Sequence, residues 1–341
     1  MKRPSLPRAF PSTFRNVRKG WKEKMPVNEL FNNRPGRYRK NTLPDNPEGG
    51  GAGRFPSWLH RSLPRGGALP DTTRTLSKHR LNTVCEEAKC PNRLECYTNG
   101  TATFLALGSA CTRACGFCDI AFSATPPPPE EDEPDRIADA SLSLGLKHVV
   151  VTMVARDDIP DKGSGHIVRI IRAVRLKNPN TTVEVLTSDF AGEKEALDKV
   201  IGAEPDIFNH NIETVRRLTP SVRHRATYDR TLTLLRYVKG KVPFLKSGIM
   251  VGLGETGEEV ESTIDDLAEV GCDIVTIGQY LQASRNKLRV KAFIPPGRFA
   301  EYERYGLQAG IGYVYSGPFV RSSYNAGLLR EKLVRQHSRE E

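Results

Sequence analysis

The chain has 341 residues, is 38% hydrophobic and carries a formal net charge of +11. That length and apolar content suit one large domain with appendages or two ordinary domains. No stretch approaches the roughly 18 consecutive apolar residues of a membrane span, and no signal-peptide core is present, so a soluble, non-secreted protein without membrane contact is expected. The charge is local: residues 1–80 hold 18 Lys and Arg against 5 Asp and Glu, while the other 261 hold 33 against 35. A near-neutral body argues against nucleic acid as the main partner, and the basic excess reads as a solvated tail or as an arm for an acidic surface.

In chain order, residues 1–53 form a basic Pro- and Gly-rich arm ending in NPEGGGAG, a linker-like run. Residues 54–100 gain apolar anchors (Trp58, Leu59, Leu63, Leu69, Leu76, Leu81) without a sustained period and read as an irregular strap. From Thr101 short apolar runs (TATFLALG, KHVVVTMV, TTVEVLTS, PDIFNHNIE, PFLKSGIMVG, CDIVTIGQYL, GYVYSGPFV) alternate with helical stretches. These stretches include DRIADASLSLG, GHIVRIIRAVRLK, GEKEALDKVIG, YDRTLTLLRYVKG and GEEVESTIDDLAEVG. Continuous apolar strands joined by helices predict an α/β protein with a parallel sheet. The fold expected over 101–312 is a partial or complete TIM-like (β/α) barrel, with the doubly wound open sheet as the alternative. Residues 313–341 then supply the last strand and a C-terminal segment. In either fold the chemistry sits at the C-terminal ends of the strands.

Six of the seven cysteines fall between Cys85 and Cys118. In a large non-secreted chain such a cluster points to metal ligation rather than disulfides. The loop CTRACGFC places Cys111, Cys115 and Cys118 directly after the first predicted strand. Zinc sites favour two CxxC pairs, and only one is present. Three thiolates on one loop instead suit three corners of a [4Fe–4S] cubane, leaving the fourth iron open to a small ligand. Gly116 lets the backbone wrap a bulky cluster. The run CEEAKCPNRLEC adds Cys85, Cys90 and Cys96 at spacings of four and five residues, either a structural zinc site or a second cluster with three local ligands. Cys272, at the start of CDIVTIG, reads as a small core residue.

CxxxCxxC after the first strand of a β/α pattern resembles the radical S-adenosylmethionine (SAM) superfamily, in which the open iron binds SAM and reduction yields a 5′-deoxyadenosyl radical. CEEAKCPNRLEC followed by CTRACGFC resembles the lipoyl synthase family within it. From Trp58 onward further segments are similar to that family: NHNIETVRRLTPSVR (209–223), KSGIMVGLGET (246–256), GQYLQ (278–282) and SGPFVRSSYNAG (316–327). The resemblance implies two [4Fe–4S] clusters, with Ser323 of RSSY as the fourth ligand of the auxiliary cluster on Cys85, Cys90 and Cys96. It implies sulfur insertion at carbons 6 and 8 of an octanoyl chain carried on a lysine, with the auxiliary cluster as sulfur donor. The implied partners are octanoylated carrier domains (the glycine-cleavage H protein or E2 subunits of 2-oxo acid dehydrogenases), a reductant such as ferredoxin or flavodoxin, and an Fe–S carrier protein. The enzyme is expected to be a cytoplasmic monomer. An N-terminus rich in Arg, with no acidic residue before Glu23, leaves the mitochondrial matrix as the alternative.

For SAM itself, Asn209, Asn211 and Glu213 sit at a strand end that faces a barrel mouth. Gly252, Gly254 and Glu255 end another strand, where glycines allow close backbone approach or simply make a turn. Asp157 and Asp158 either cap a helix or line the pocket. The chain departs from the family pattern at Met153 and Ala155 after the second strand, and at Ala283, Lys287 and Arg289 near the last strands. Those positions bear on carrier docking or substrate placement.

Overall fold

The computed structural model of the chain describes residues 55–60 and 69–324. The basic arm expected at 1–53, and residues 325–327 of the last family-like segment, lie outside the described residues. Ahead of the main sheet come three helices, α1 (Leu69–Lys78), α2 (Val84–Glu87) and α3 (Arg93–Thr98). Strand β1 (Thr103–Ala106) follows, then the two-residue strands β2 (Ala110–Cys111) and β3 (Ala121–Phe122). The chain continues through α4 (Glu133–Ser143), β4 (His148–Met153), α5 (Ser164–Lys177), β5 (Thr182–Leu186), α6 (Lys194–Ile201) and β6 (Ile207–Asn209). It ends with α7 (Thr219–Val222), α8 (Tyr228–Val238), β7 (Phe244–Val251), α9 (Gly257–Glu269), β8 (Ile274–Gln279), α10 (Pro296–Gln308) and β9 (Tyr313–Gly317).

The strands pair in parallel in the order β1-β4-β5-β6-β7-β8-β9, and β2 pairs with β3 beside them. Spatial order follows chain order with no reversal. A doubly wound sheet reverses at a switch point, so that alternative is excluded and the architecture is a seven-stranded partial barrel. β1 and β9 do not pair among the described residues. Residues just before α2 run along the open edge of β1: Thr83 bridges Phe104 antiparallel and Leu105 donates its N–H to the Asn82 carbonyl at 2.9 Å. This satisfies edge groups that would otherwise be bare.

The helices form because their apolar residues recur at helical spacing. On α5, Ile167, Ile170, Ile171 and Val174 are buried along one face, and each such side chain contributes about 2 kcal/mol. α9 starts at a capping box between Thr256 and Glu259 and buries Val260, Ile264 and Leu267. Two stretches differ from the sequence expectation. The strap read as irregular contains the ten-residue α1, whose buried face pairs Leu76 with Thr72. The Thr72 hydroxyl donates to the Tyr97 carbonyl at 2.9 Å, so a polar residue fills a core position and hides the period. α10 is absent from the periodic stretches because it opens on proline and buries Phe299, Tyr302 and Gly306.

Candidate active site

At the C-terminal ends of the strands lies a cavity of about 900 Å³. Its lining includes Cys85, Cys90, Cys96, Cys111, Cys115, Cys118 and Ser323. All seven expected ligands therefore meet at one hollow, although Ser323 is far from the cysteines in sequence.

The loop carrying Cys111, Cys115 and Cys118 is tied to the barrel on several sides. Cys111 ends β2, and its sulfur accepts from the Ala155 N–H at 3.3 Å and the Arg113 N–H at 3.4 Å. Gly116 donates to the Val222 carbonyl at 2.8 Å and accepts from the Leu288 N–H at 3.0 Å. A Cβ on Gly116 would lie 3.0 Å from Leu288, so a side chain there would press on the loop that follows β8. Arg113 is buried and anchors the loop from below: its Nε and Nη2 donate to Asp157 at 2.8 and 2.7 Å, and Nη1 lies 2.7 Å from Asp189. Burial pushes the Arg113 guanidinium down, but the two carboxylates outweigh it and hold it above its ordinary value. Asp157 thus positions the loop. Asp158 pairs with Arg156 at 2.9 and 2.8 Å.

Cys85 sits in α2, Cys96 in α3, and Cys90 on the turn between them, reached through Lys89 at φ 49°. The C-terminal segment closes over this turn. Asn92 Nδ2 donates to the Phe319 carbonyl at 2.7 Å, and the Tyr324 hydroxyl donates to Glu95 at 2.8 Å. Lys89 meets Asp119, next to Cys118, at 2.7 Å, so one ion pair joins the two cysteine loops.

The donor set fits iron–sulfur clusters better than a single ion. Among the described residues no three His, Cys, Asp or Glu side chains converge as a mononuclear site requires. A cubane binds each thiolate at a separate iron, so its ligands stand apart around a hollow. All seven cysteines are free. Burial, then neighbouring thiols, push Cys85 and Cys118 up to about 11 and Cys96 and Cys115 up to about 12. At Cys118 a backbone hydrogen bond at Ile120 opposes the rise. Loading a cluster therefore displaces protons from these thiols. Cys272 is buried before β8, and burial raises it well above the usual thiol range.

The six residues expected to hold SAM divide. Asn211 and Glu213 line the cavity. Glu213 has φ 68° and is stapled to β7: it donates to the Gly248 carbonyl at 3.0 Å and accepts from the Met250 N–H at 2.8 Å. Strain of this kind is held at sites that need a side chain aimed. Asn211 Nδ2 donates to Glu213 at 3.1 Å. Burial raises the Glu213 carboxyl, opposed by Arg223 and Asn211. Arg223, missed in the sequence reading although it closes NHNIETVRRLTPSVR, is buried beside Glu213 and Cys115; burial lowers it and these two groups oppose the shift. Its Nη1 donates to the Asn211 carbonyl at 2.8 Å, and its Nε is buried without a partner.

The other four lie elsewhere. Asn209 points into the barrel interior, donating to Glu184 at 2.9 Å. Gly252 and Gly254 have φ 101° and 109° and make the turn after β7. A Cβ on Gly252 would meet Gln279 Nε2 at 2.2 Å. Glu255 folds back onto this turn, accepting from the Gly252 N–H and from the Leu253 N–H at 2.9 Å. Of the departures from the family pattern, Met153, Ala155 and Ala283 line the cavity, and Lys287 is close enough to Cys118 to lower its pKa. Ala155 touches the cysteine loop directly, donating its N–H to the Cys111 sulfur.

Residues 105–278 match the family model described as the radical SAM superfamily. The fold agrees with that of Streptococcus suis SuiB, at a TM-score of 0.50 and 13% identity, over 73% of this chain and about half (52%) of that one. A partial β/α barrel with CxxxCxxC at its mouth, matched by that family model, is a radical SAM enzyme. Two relatives narrow the class. The lipoyl synthase of Protochlamydia amoebophila is 57% identical over 320 residues, 91% of this chain and 98% of that protein. The lipoyl synthase of Chlamydia trachomatis is 50% identical over 282 residues, 82% of this chain and 90% of that protein. The chain belongs to the lipoyl synthase family, whose cofactors are SAM and [4Fe–4S] clusters.

Proposed function

We propose that this enzyme makes the lipoyl group in place, inserting sulfur at carbons 6 and 8 of an octanoyl chain carried on a lysine of a protein domain. In this reading Cys111, Cys115 and Cys118 seat the cluster that binds SAM, and Cys85, Cys90, Cys96 and Ser323 seat the auxiliary cluster. One observation carries it: two cysteine triads and one serine line the same cavity. When bound, these cofactors supply a carbon radical able to take hydrogen from an unactivated C–H bond, and a source of sulfide.

The chain's own residues do the rest. Glu213 and Arg223 lie near Cys115, and Asn211 bonds to both, so a carboxylate, an amide and a guanidinium meet at the cavity wall. That set suits the amino and carboxylate groups of a methionyl ligand and holds them by hydrogen bonds and charge. Val150, Met153, Ile249 and Met250 give the wall an apolar stretch for an alkyl chain and keep water from it. A cavity of about 900 Å³ admits a nucleoside and an acyl-lysine but not a folded domain. The carrier, an H protein or an E2 subunit, therefore docks outside and inserts its lysine arm. The electron donor we assign is a small low-potential protein such as ferredoxin or flavodoxin. Free thiols at all seven cysteines suit a reducing, cytoplasmic compartment.

The test is mass spectrometry of an octanoyl-lysyl peptide incubated anaerobically with reconstituted enzyme, SAM and a strong reductant. Two sulfurs gained, with about two 5′-deoxyadenosines per product, support the reading. SAM cleavage with no sulfur in the peptide overturns the substrate assignment.

A further inference from the structure

We infer that Lys246 is a positioning residue for Ser323, acting through the carbonyl of Ser322 to set the peptide plane from which the Ser323 hydroxyl reaches the auxiliary cluster. The inference rests on the reading of Ser323 as a cluster ligand.

Lys246 lies on β7 with its side chain inside the barrel and is 2% exposed. Its Nζ donates to Glu184 Oε1 at 2.8 Å and to the Ser322 carbonyl at 2.5 Å. Glu184, on β5, is wholly buried; it also accepts from Asn209 at 2.9 Å and lies 3.3 Å from His148 Nε2. Burial alone would raise the Glu184 carboxyl, but Lys246 and His148 overcome it and hold it down at about 2. The Lys246 Nζ is thus held in place between the Glu184 carboxylate and the Ser322 carbonyl. An ion pair in a barrel interior is no more stabilising than apolar residues of the same volume. What an apolar side chain cannot do is reach past its strand and hold the backbone of another segment.

That segment is sunk into the barrel mouth. Ser322 Oγ donates to Asn211 Oδ1 at 2.9 Å. A Cβ on Gly278 would lie 2.1 Å from the Val320 carbonyl oxygen, and one on Gly248 would lie 3.1 Å from Ser322 Oγ. Both strands thus present a bare backbone where the segment crosses. Because the peptide unit is planar, fixing the Ser322 carbonyl fixes the Ser323 nitrogen and Cα as well. Only φ and χ1 of Ser323 remain free to aim the hydroxyl. The tether is a charge-assisted hydrogen bond, whose loss shifts a local equilibrium at least about tenfold.

The experiment uses the full chain carrying Cys111→Ala, Cys115→Ala and Cys118→Ala, so that the auxiliary cluster alone is reconstituted. Mössbauer spectra read the oxygen-ligated iron. Ser323→Ala is the reference for its loss. Lys246→Met is expected to keep the iron content of its parent and to lose most of the oxygen-ligated signal, matching Ser323→Ala. If Ser323→Ala changes the spectrum and Lys246→Met does not, the inference is overturned while the ligand reading stands. If Ser323→Ala itself changes nothing, the ligand reading fails and takes the inference with it. Removing Lys246 alone strands a buried carboxylate, so Lys246→Met with Glu184→Gln carries the same readout in a neutral interior should the single variant fail to fold.

Discussion

Cys111, Cys115 and Cys118 stand on one loop stitched to its own barrel. Cys85, Cys90 and Cys96 stand on two short helices and a turn that are closed from the far end of the chain. The first triad is held by loops of the barrel: backbone N–H groups on the Cys111 sulfur, the Gly116 bonds to Val222 and Leu288, and Arg113 between two aspartates. The second is held by the segment after β9: Asn92 bonds to Phe319 and Tyr324 to Glu95, while Lys246 holds the Ser322 carbonyl. A rigid seat suits a cofactor that must hold SAM in one pose on every turnover. In the proposed reading Ser323 gives the second seat one remote oxygen ligand, which suits a cluster from which that ligand has to come away.

The comparison breaks most directly by removing one cysteine from each triad. Cys111→Ala is expected to abolish both 5′-deoxyadenosine formation and sulfur insertion. Cys90→Ala should abolish sulfur insertion while SAM cleavage persists. Each loses about four of roughly eight irons, checked by iron analysis and by liquid chromatography of the nucleoside. Equal loss of SAM cleavage in both would mean that the triads do not divide the work.

Next in size is Arg113→Met. It leaves Asp189 buried with Arg230 at 3.1 Å as its remaining ion-pair partner. We expect a loss of about 3 kcal/mol in urea unfolding and a larger fall in SAM cleavage than in auxiliary iron. Acid should act through the second region. The Glu184 carboxyl lies at about 2 in the folded protein against an ordinary 4.5. Its contribution is therefore present above pH 4.5 and lost as pH falls toward 2, up to about 3 kcal/mol. The variant Lys246→Met with Glu184→Gln should show a correspondingly shallower fall in stability over that range. Smallest is Gly278→Ala, which pushes on the Val320 carbonyl. It should cost about 2 kcal/mol and lower sulfur insertion more than SAM cleavage, and equal effects on both would argue that the C-terminal segment serves the whole cavity.

The strands and both triads were legible in the sequence, because apolar runs and cysteine spacing are local signals. RSSY pointed to Ser323, which the fold brings to the cavity that the cysteines line. What escaped were side chains whose role is set by a partner far along the chain. Nothing around Lys246 in PFLKSGIMVG announces Glu184 or Ser322, and Arg113 reads as a loop residue until Asp189 is brought beneath it. Asn209 shows the converse. Polar and at a strand end, it matched a ligand pattern, yet as the last residue of β6 it donates to Glu184, while Asn211 and Glu213, past the strand end, line the cavity. Glu255 matched too, but its nearest donors are the N–H groups of its own turn.

The most direct test of the central claim, that the inserted sulfur is sulfide of a bound cluster, is an isotope measurement in a single turnover. Enzyme is reconstituted with heavy-isotope sulfide, freed of excess, and given the octanoyl-lysyl peptide with SAM and reductant in buffer holding light sulfide. The account predicts a product in which both sulfurs are heavy. A product carrying light sulfur would contradict it.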